Sequence, residues 1–217
     1  MCVNYRPLNH EDLIKIFDVN IAEDAEWPKE TYQDYFAPII RSDSEGKREA
    51  FMASFGMIPK QHTPSNFKRF STMNARAETV GELRSYKSAW SKHQFCLVPM
   101  YHFYEPNWET GKHIRYAIGM ANHSPFAVAG LWRDWKEEDG GISHSFTQLT
   151  INADVHPLMK RFHKPDDEKR SLVIIYEEDY DDWLQCDKLE EAQLFLRNYP
   201  AELMEAWPMP KESKSKK

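Results

Sequence analysis

No stretch of the 217 residues approaches the roughly eighteen consecutive apolar side chains that a membrane-spanning helix requires, because charge or proline interrupts every apolar run. A membrane partner is therefore not expected. The leading segment from Met1 to Leu13 lacks the basic-then-apolar layout of a secretory signal, which makes the cytoplasm the expected location. Cysteine is scarce: Cys2, Cys96 and Cys186 are an odd number with no metal-ligand spacing, which argues against a disulfide framework and against a zinc site. No metal and no cofactor are expected. With 8 Gly and 13 Pro, and no repeat of solenoid period, the chain has neither fibrous nor low-complexity character. What is present is a globular composition, 41% hydrophobic and 29% charged, at a length that suits one core. Residues 1–210 are expected to form a single, monomeric domain, and 211–217 a disordered basic tail.

The net charge of -6 argues against a polyanionic partner until its distribution is considered. Between Lys60 and Lys92 seven basic residues face only Glu78 and Glu82, a local excess of +5, whereas Glu177 to Glu191 carries a local charge of -7. Either run can be a solvated face, and the first can also be a binding surface for phosphates.

Leu13, Ile14, Ile16 and Phe17 among polar residues predict a helix over Asn9 to Val19, capped by Asn9. Turn-forming residues dominate from there to about Ser44. Six β-rich stretches follow at Ala50–Ile58, Phe95–Tyr104, His113–Met120, Phe126–Leu131, Phe146–Ile151 and Leu172–Ile175. Helical spacing is present over Glu78–Trp90 and, interrupted, over Tyr180–Arg197. The absence of regular βαβ alternation gives an α+β class, with a largely antiparallel β core, barrel-like or in packed sheets, flanked by helices.

Cys2 directly follows the initiator methionine. Removal of Met1 would leave an α-amine and a thiol on adjacent carbons, a pair no internal cysteine has. At neutral pH the neutral amine is roughly a hundredfold more abundant at an N-terminus than on lysine, so an aldehyde would react there first. Closure of the thiol onto the resulting imine would give a five-membered thiazolidine, favoured by the high effective concentration of a tethered nucleophile. Position alone leaves the other reading open, in which Cys2 is simply a small second residue. Cys96, in Phe-Cys-Leu-Val-Pro, reads as core.

Several segments, in order along nearly the whole chain, resemble the SOS response-associated peptidase (SRAP) family. They are Met1-Cys2, Phe55-Gly56-Met57-Ile58-Pro59, Asn74-Ala75-Arg76-Ala77-Glu78-Thr79, Phe95-Cys96-Leu97-Val98-Pro99 with Phe103-Tyr104-Glu105, Ala129-Gly130-Leu131-Trp132, Ser145 to Thr150, and Arg161-Phe162-His163-Lys164-Pro165. The resemblance implies covalent capture of abasic sites in single-stranded DNA. It casts Cys2 as the aminothiol nucleophile, Asn74 as the amide that positions it, Glu105 as the proton shuttle and His163 as the group that assists sugar-ring opening, a task suited to a side chain titrating near neutrality. It places Arg76 on a phosphate, with Thr150 supporting this shell in the DNA-binding set, and Pro38 as a wedge against DNA. Phe67 and Phe70 lie in the basic segment, either as platforms for a neighbouring base or as core aromatics.

Departures from the family pattern bear on DNA contact. Val3 and Asn4 stand where many members have Gly-Arg, so an expected phosphate-binding arginine is missing, with Arg6 as its substitute if that stretch is extended. Phe55 and Pro106 replace tryptophans, and the stretch from Lys164 to Arg170 is longer than the family's compact version. Two rival functions remain open: a cysteine peptidase with self-processing, built on Cys2, Glu105 and His163, and a non-covalent single-stranded DNA-binding module.

Overall fold

The structure is a computed structural model in which residues 2–66 and 68–211 are described. Strand β1 (Tyr5–Pro7) precedes helix α1 (His10–Phe17), which starts where the Asn9 side chain accepts the Asp12 N–H at 2.8 Å. That contact satisfies a backbone donor the first turn leaves open, and Glu11 and Asp12 add negative charge at the helix's positive end. Strands β2 (Phe36–Ser42), β3 (Arg48–Phe55) and the short β4 (Asn74–Arg76) follow, then the single-turn helix α2 (Lys87–Ser91). Strands β5 (Phe95–Asn107), β6 (Ile114–Met120), β7 (Phe126–Lys136) and β8 (Ile142–Asn152) come next, of which β5, β7 and β8 are the longest. The chain closes with β9 (Arg170–Leu172), β10 (Ile174–Ile175), α3 (Tyr180–Leu184), α4 (Leu189–Ala192) and β11 (Met204–Pro208). Among the described residues no helix is long and apolar enough to cross a membrane.

Hydrogen-bonded neighbours run β7, β8, β3, β2, β5, and β5 returns to β7, which closes a barrel. The β3–β8 pairing is parallel and the others around the ring are antiparallel. Outside the ring, β1 and β6 pair with β5, β11 with β6, β10 with β7, and β4 and β9 with β8. This is the expected antiparallel-rich barrel with flanking helices.

The unbroken apolar run of β5 follows from burial on both of its faces. Cys96, Val98 and Met100 join Ile39, Phe55, Val128 and Phe146 inside the barrel, whereas Phe95 and Leu97 join Trp90, Leu13, Phe17 and Trp183 in the layer under the helices. A strand covered on both sides has no polar face to show. Cys96 is thus core, as its sequence context implies. Gly130 on β7 is where three strands crowd: a Cβ there would lie 2.8 Å from both Cys96 Sγ and the Thr147 carbonyl oxygen.

The structure corrects the sequence reading in three places. The turn-like stretch before Ser44 contains β2, paired with β3 over its whole length from Phe36↔Ser54 to Ser42↔Arg48. Pairing between strands overrides the local signal of Pro38, Arg41 and Ser42. Pro38 is consequently a buried strand residue opposite Met52, not an exposed wedge for DNA. Its missing N–H is tolerated because the β5 ladder meets β2 only at Ile40↔Leu97. Finally, Glu78–Trp90 is mostly turns, with one helical turn at Ala77–Thr79 and α2 at its end, and the chain after Pro200 forms β11, which periodicity did not signal.

Gly130→Ala should therefore destabilise the fold by roughly 1–3 kcal/mol, the usual cost of overpacking a filled core. Urea unfolding followed by circular dichroism checks this, with a lowered midpoint expected.

Candidate active site

The N-terminal segment is tied to β5 by the pairing of Tyr5 with Phe103 and by the Tyr104 N–H, which donates to the Asn4 carbonyl at 3.2 Å. Cys2 is thereby buried at 1% exposure, and its thiol donates to the Asn4 carbonyl at 3.2 Å. Burial and the neighbouring Glu105 push the thiol well above its ordinary pKa, so the sulfur is held as S–H. From the other side Asn74 Nδ2 donates to the Cys2 carbonyl at 2.6 Å. Strand β4 brings Asn74 there, since its parallel register on β8 sets Asn74 opposite Gln148 and Arg76 opposite Thr150. The Asn74 Oδ1 is buried and has no hydrogen-bond partner among the described residues.

Glu105 and His163 form a buried pair beside Cys2, with His163 Nδ1 3.2 Å from Glu105 Oε2 and side chains 5% and 3% exposed. Two backbone contacts dock the His163 loop onto the end of β5: the His163 N–H donates to the Pro106 carbonyl at 3.0 Å, and Phe162 bridges to Asn107. His163 adopts a left-handed backbone with φ 66, a conformation that costs a non-glycine residue energy and recurs at functional sites. Burial moves both groups toward their neutral forms, raising Glu105 to about 7 and lowering His163 to about 4. The expectation of a histidine titrating near neutrality is corrected here, because the carboxyl is the member that does so.

The proton's position follows from the partners. His163 Nε2 lies 3.2 Å from the Arg170 carbonyl oxygen, which can only accept, so Nε2 carries the hydrogen of the neutral ring. Nδ1 is then the ring's acceptor atom, and it is the one that lies 3.2 Å from Glu105 Oε2. The carboxyl of this pair is near enough to Cys2 to raise its thiol electrostatically.

A second buried group, which sequence reasoning missed, braces this arrangement. The Arg170 guanidinium is 3% exposed and donates to both oxygens of Glu78 at 2.9 and 2.8 Å, to Glu168 at 2.9 Å and to the Thr150 carbonyl at 2.7 Å. Partial burial raises Glu78, but hydrogen bonds from Arg170 and the backbone prevail and hold it at about 2. The glutamate in the Asn-Ala-Arg-x-Glu-Thr motif was a signal for this cation.

The remaining candidates separate. Arg76 is about half exposed and ion-paired with Glu168 at 2.7 Å. Thr150 is buried, donating from its hydroxyl to the Ala75 carbonyl at 3.3 Å and accepting from Arg170, a supporting position between β4 and the buried guanidinium. Phe70 is exposed, while Phe67 lies outside the described residues, as do 212–217 of the expected tail. Arg6 is on a strand, as its proposed role requires, but its guanidinium stacks on Tyr101. A cavity of about 400 Å³ opens beside Glu105 and His163, and its cations are instead Arg115, Lys164 and Lys211. Arg115 lies 3.4 Å over the Tyr104 ring and pairs with Glu30 at 2.7 Å.

The model of the SOS response associated peptidase (SRAP) family matches residues 1–215. The chain is 29% identical over 141 residues to the abasic site processing protein YobE of Bacillus subtilis (strain 168), a match that covers 64% of this chain and 61% of that relative. A crystal structure of a protein from Bordetella bronchiseptica superposes with a TM-score of 0.87 at 34% identity, covering 97% of this chain and 100% of the other. A protein from Bacteroides thetaiotaomicron shares the fold at a TM-score of 0.73 and 19% identity, over 96% of this chain and 92% of the other.

The buried carboxyl makes a prediction about stability. Its pKa is raised to about 7 in the fold from an ordinary 4.5, so its contribution is fully present below 4.5 and is lost as pH rises through 7. Glu105→Gln removes that loss, and should gain on the wild type by roughly 2–3 kcal/mol between about pH 5 and about pH 8. Urea midpoints measured across this range test it; parallel profiles for the two proteins would contradict it.

Proposed function

The chain belongs to the SOS response associated peptidase family, and from that membership we propose that it processes abasic sites in single-stranded DNA by covalent capture through Cys2, exposed once Met1 is removed. The observation that carries this reading is the convergence of three groups on Cys2: the amide of Asn74 on its carbonyl, and the Glu105–His163 pair beside it. The Asn74 Oδ1 supports the reading further, because a buried acceptor left open beside Cys2 suits the α-amine that methionine removal creates.

The ring-opened sugar presents an aldehyde. The Cys2 amine adds to its carbon, and the resulting hydroxyl must leave as water, which needs a proton. Glu105, titrating at about 7, supplies that proton near neutral pH. His163, neutral at the same pH, takes the proton of the sugar's anomeric hydroxyl as the bond from that carbon to the ring oxygen breaks, and returns it to the ring oxygen, which becomes a hydroxyl as the aldehyde forms. The Cys2 sulfur then bonds to the imine carbon and its proton passes to the nitrogen, which closes the thiazolidine with a net loss of one water. Strand cleavage through the imine, by removal of a sugar proton and departure of the adjacent phosphate, is a side activity of the same intermediate.

Arg76 grips a phosphate beside the lesion, exchanging the Glu168 carboxylate for the DNA anion; both side chains are partly exposed, so the exchange costs little. Arg115 and Lys164 serve the strand where the family's missing arginine would. A monomer acting in the cytoplasm on nucleoid DNA fits this reading. The peptidase alternative is less well supported, because such chemistry needs a thiolate, and burial at Cys2 pushes the thiol the other way.

Purified protein mixed with an abasic single-stranded oligonucleotide, and weighed intact under denaturing conditions, tests the proposal. The expected product is a conjugate lighter than the summed components by one water, absent for Cys2→Ala. Recovery of unmodified protein and oligonucleotide from the wild-type mixture would sink it.

A further inference from the structure

The Glu168 carboxylate occupies a position suited to an external anion. Its Oε2 lies 2.7 Å from Arg76 Nη1, and its Oε1 accepts from Arg170 Nη1 at 2.9 Å and from Asn152 Nδ2 at 3.2 Å. Two guanidiniums and an amide are the donor set that holds a bound phosphate. Glu78 also pairs with Arg170, so the four side chains carry two charges of each sign. A phosphate arriving at Arg76 meets no excess of positive charge while Glu168 stays. The loop that bears Glu168 is fastened to the end of β8: the Lys169 N–H donates to Asp154 Oδ1 at 2.8 Å, and the Lys169 carbonyl accepts the Ala153 N–H at 2.8 Å. Arg76 in turn is two residues beyond Asn74 on β4, on the same side of the strand and about 7 Å along it. A phosphate at Arg76 is thus within a nucleotide's reach of Cys2, whose carbonyl Asn74 holds.

We infer that Glu168 is a specificity-determining residue, an internal stand-in for phosphate that protects Cys2 from free sugar phosphates and gives way to a DNA strand. Free deoxyribose 5-phosphate is the same chemical unit as the abasic residue, with a ring that opens to an aldehyde and one phosphate. The aminothiol proposed at Cys2 would condense with it. Nitrogen and sulfur would both bond to the aldehyde carbon, and its oxygen would leave as water with one hydrogen from the amine and one from the thiol. The site would then be consumed. A free sugar phosphate must displace Glu168 with one phosphate alone, against a competitor that is tethered beside Arg76. A strand bears the same cost with further phosphates held at Arg115 and Lys164, so it still fills the site. The inference rests on the capture chemistry proposed above and adds to it a basis for selecting the polymer over the monomer.

The test follows intact protein mass over time in deoxyribose 5-phosphate and, separately, in deoxyribose, each below saturation. Glu168→Gln keeps the side chain's size and an oxygen for Arg170 but turns an amide N–H toward Arg76. Arg170 retains Glu78 and the Thr150 carbonyl in this variant, so the buried cation stays paired. The adduct is one sugar phosphate less one water. The ratio of its rate of formation to that of the deoxyribose adduct should rise about 2- to 5-fold in Glu168→Gln, the range that a partly exposed ion pair supplies. Asp166→Asn removes the same charge from an exposed position on the same loop and should leave the ratio at the wild-type value. An unchanged ratio in Glu168→Gln would overturn the inference, and so would an equal rise in Asp166→Asn, which would mark a general effect of charge. Where no sugar adduct forms with any of the proteins, titration with inorganic phosphate decides, read from the Arg76 Nε–H resonance. Binding about 2- to 5-fold tighter in Glu168→Gln would support the stand-in role, and equal binding would overturn it. Abasic oligonucleotide left unconjugated by the wild type would defeat the capture chemistry, and the phosphate titration would still decide the role of Glu168.

Discussion

The close approach of the Glu105 carboxyl and the His163 ring is the contact on which the rest of the site depends. Two ionisable groups, each nearly excluded from water, face each other at 3.2 Å, and burial favours the state in which neither is charged. One proton is thereby stored where it can leave or return at neutral pH. The cost is borne by the surroundings: the left-handed backbone of His163 is held by the Pro106 carbonyl, and the ring's second nitrogen is held by the Arg170 carbonyl. Without those contacts neither the tautomer nor the spacing would be defined.

The barrel makes this possible by giving each part of the site a rigid strand. Strand β5 carries Glu105 at its end, β1 lies against it and delivers Cys2, and β8 holds both β4 with Asn74 and β9 with Arg170. Arg170 then unites the set. Its side chain clasps Glu78 and Thr150 next to β4, while its carbonyl accepts from His163. Glu168 bridges this buried cation to the exposed Arg76, so the surface that would meet phosphate and the groups that would move protons share one network. The coupling is physical, through contiguous hydrogen bonds and ion pairs, rather than through proximity alone.

Much of this was legible in the sequence where the signal is local. The Asn9 cap and the β-rich stretches of β5 and β8 report short-range geometry, and the cap and both strands appear there, β5 and β8 running beyond the expected Phe95–Tyr104 and Phe146–Ile151. Strand β2 was hidden because its stability comes from pairing with β3, and Pro38, a turn former by propensity, sits inside it. For the same reason Pro38 could be mistaken for a surface wedge. The site residues were legible as a constellation of motif positions, and the structure brings Cys2, Asn74, Glu105 and His163 together. Their protonation was not legible, since a pKa depends on burial that no spacing reveals: the histidine was expected near neutrality, and it is the glutamate that titrates there. Arg170 escaped notice because a buried cation looks like any surface arginine until its partners are placed.

The proton stored by the buried pair can be observed directly. In protein labelled with carbon-13 at glutamate side-chain carboxyls, the resonance that disappears in Glu105→Gln belongs to Glu105, and its shift can be followed against pH. The account predicts a midpoint near 7, well away from the ordinary carboxylates. A midpoint at the ordinary value of 4.5 would mean that Glu105 is simply ionised at neutral pH, and the proton the mechanism needs would not be there.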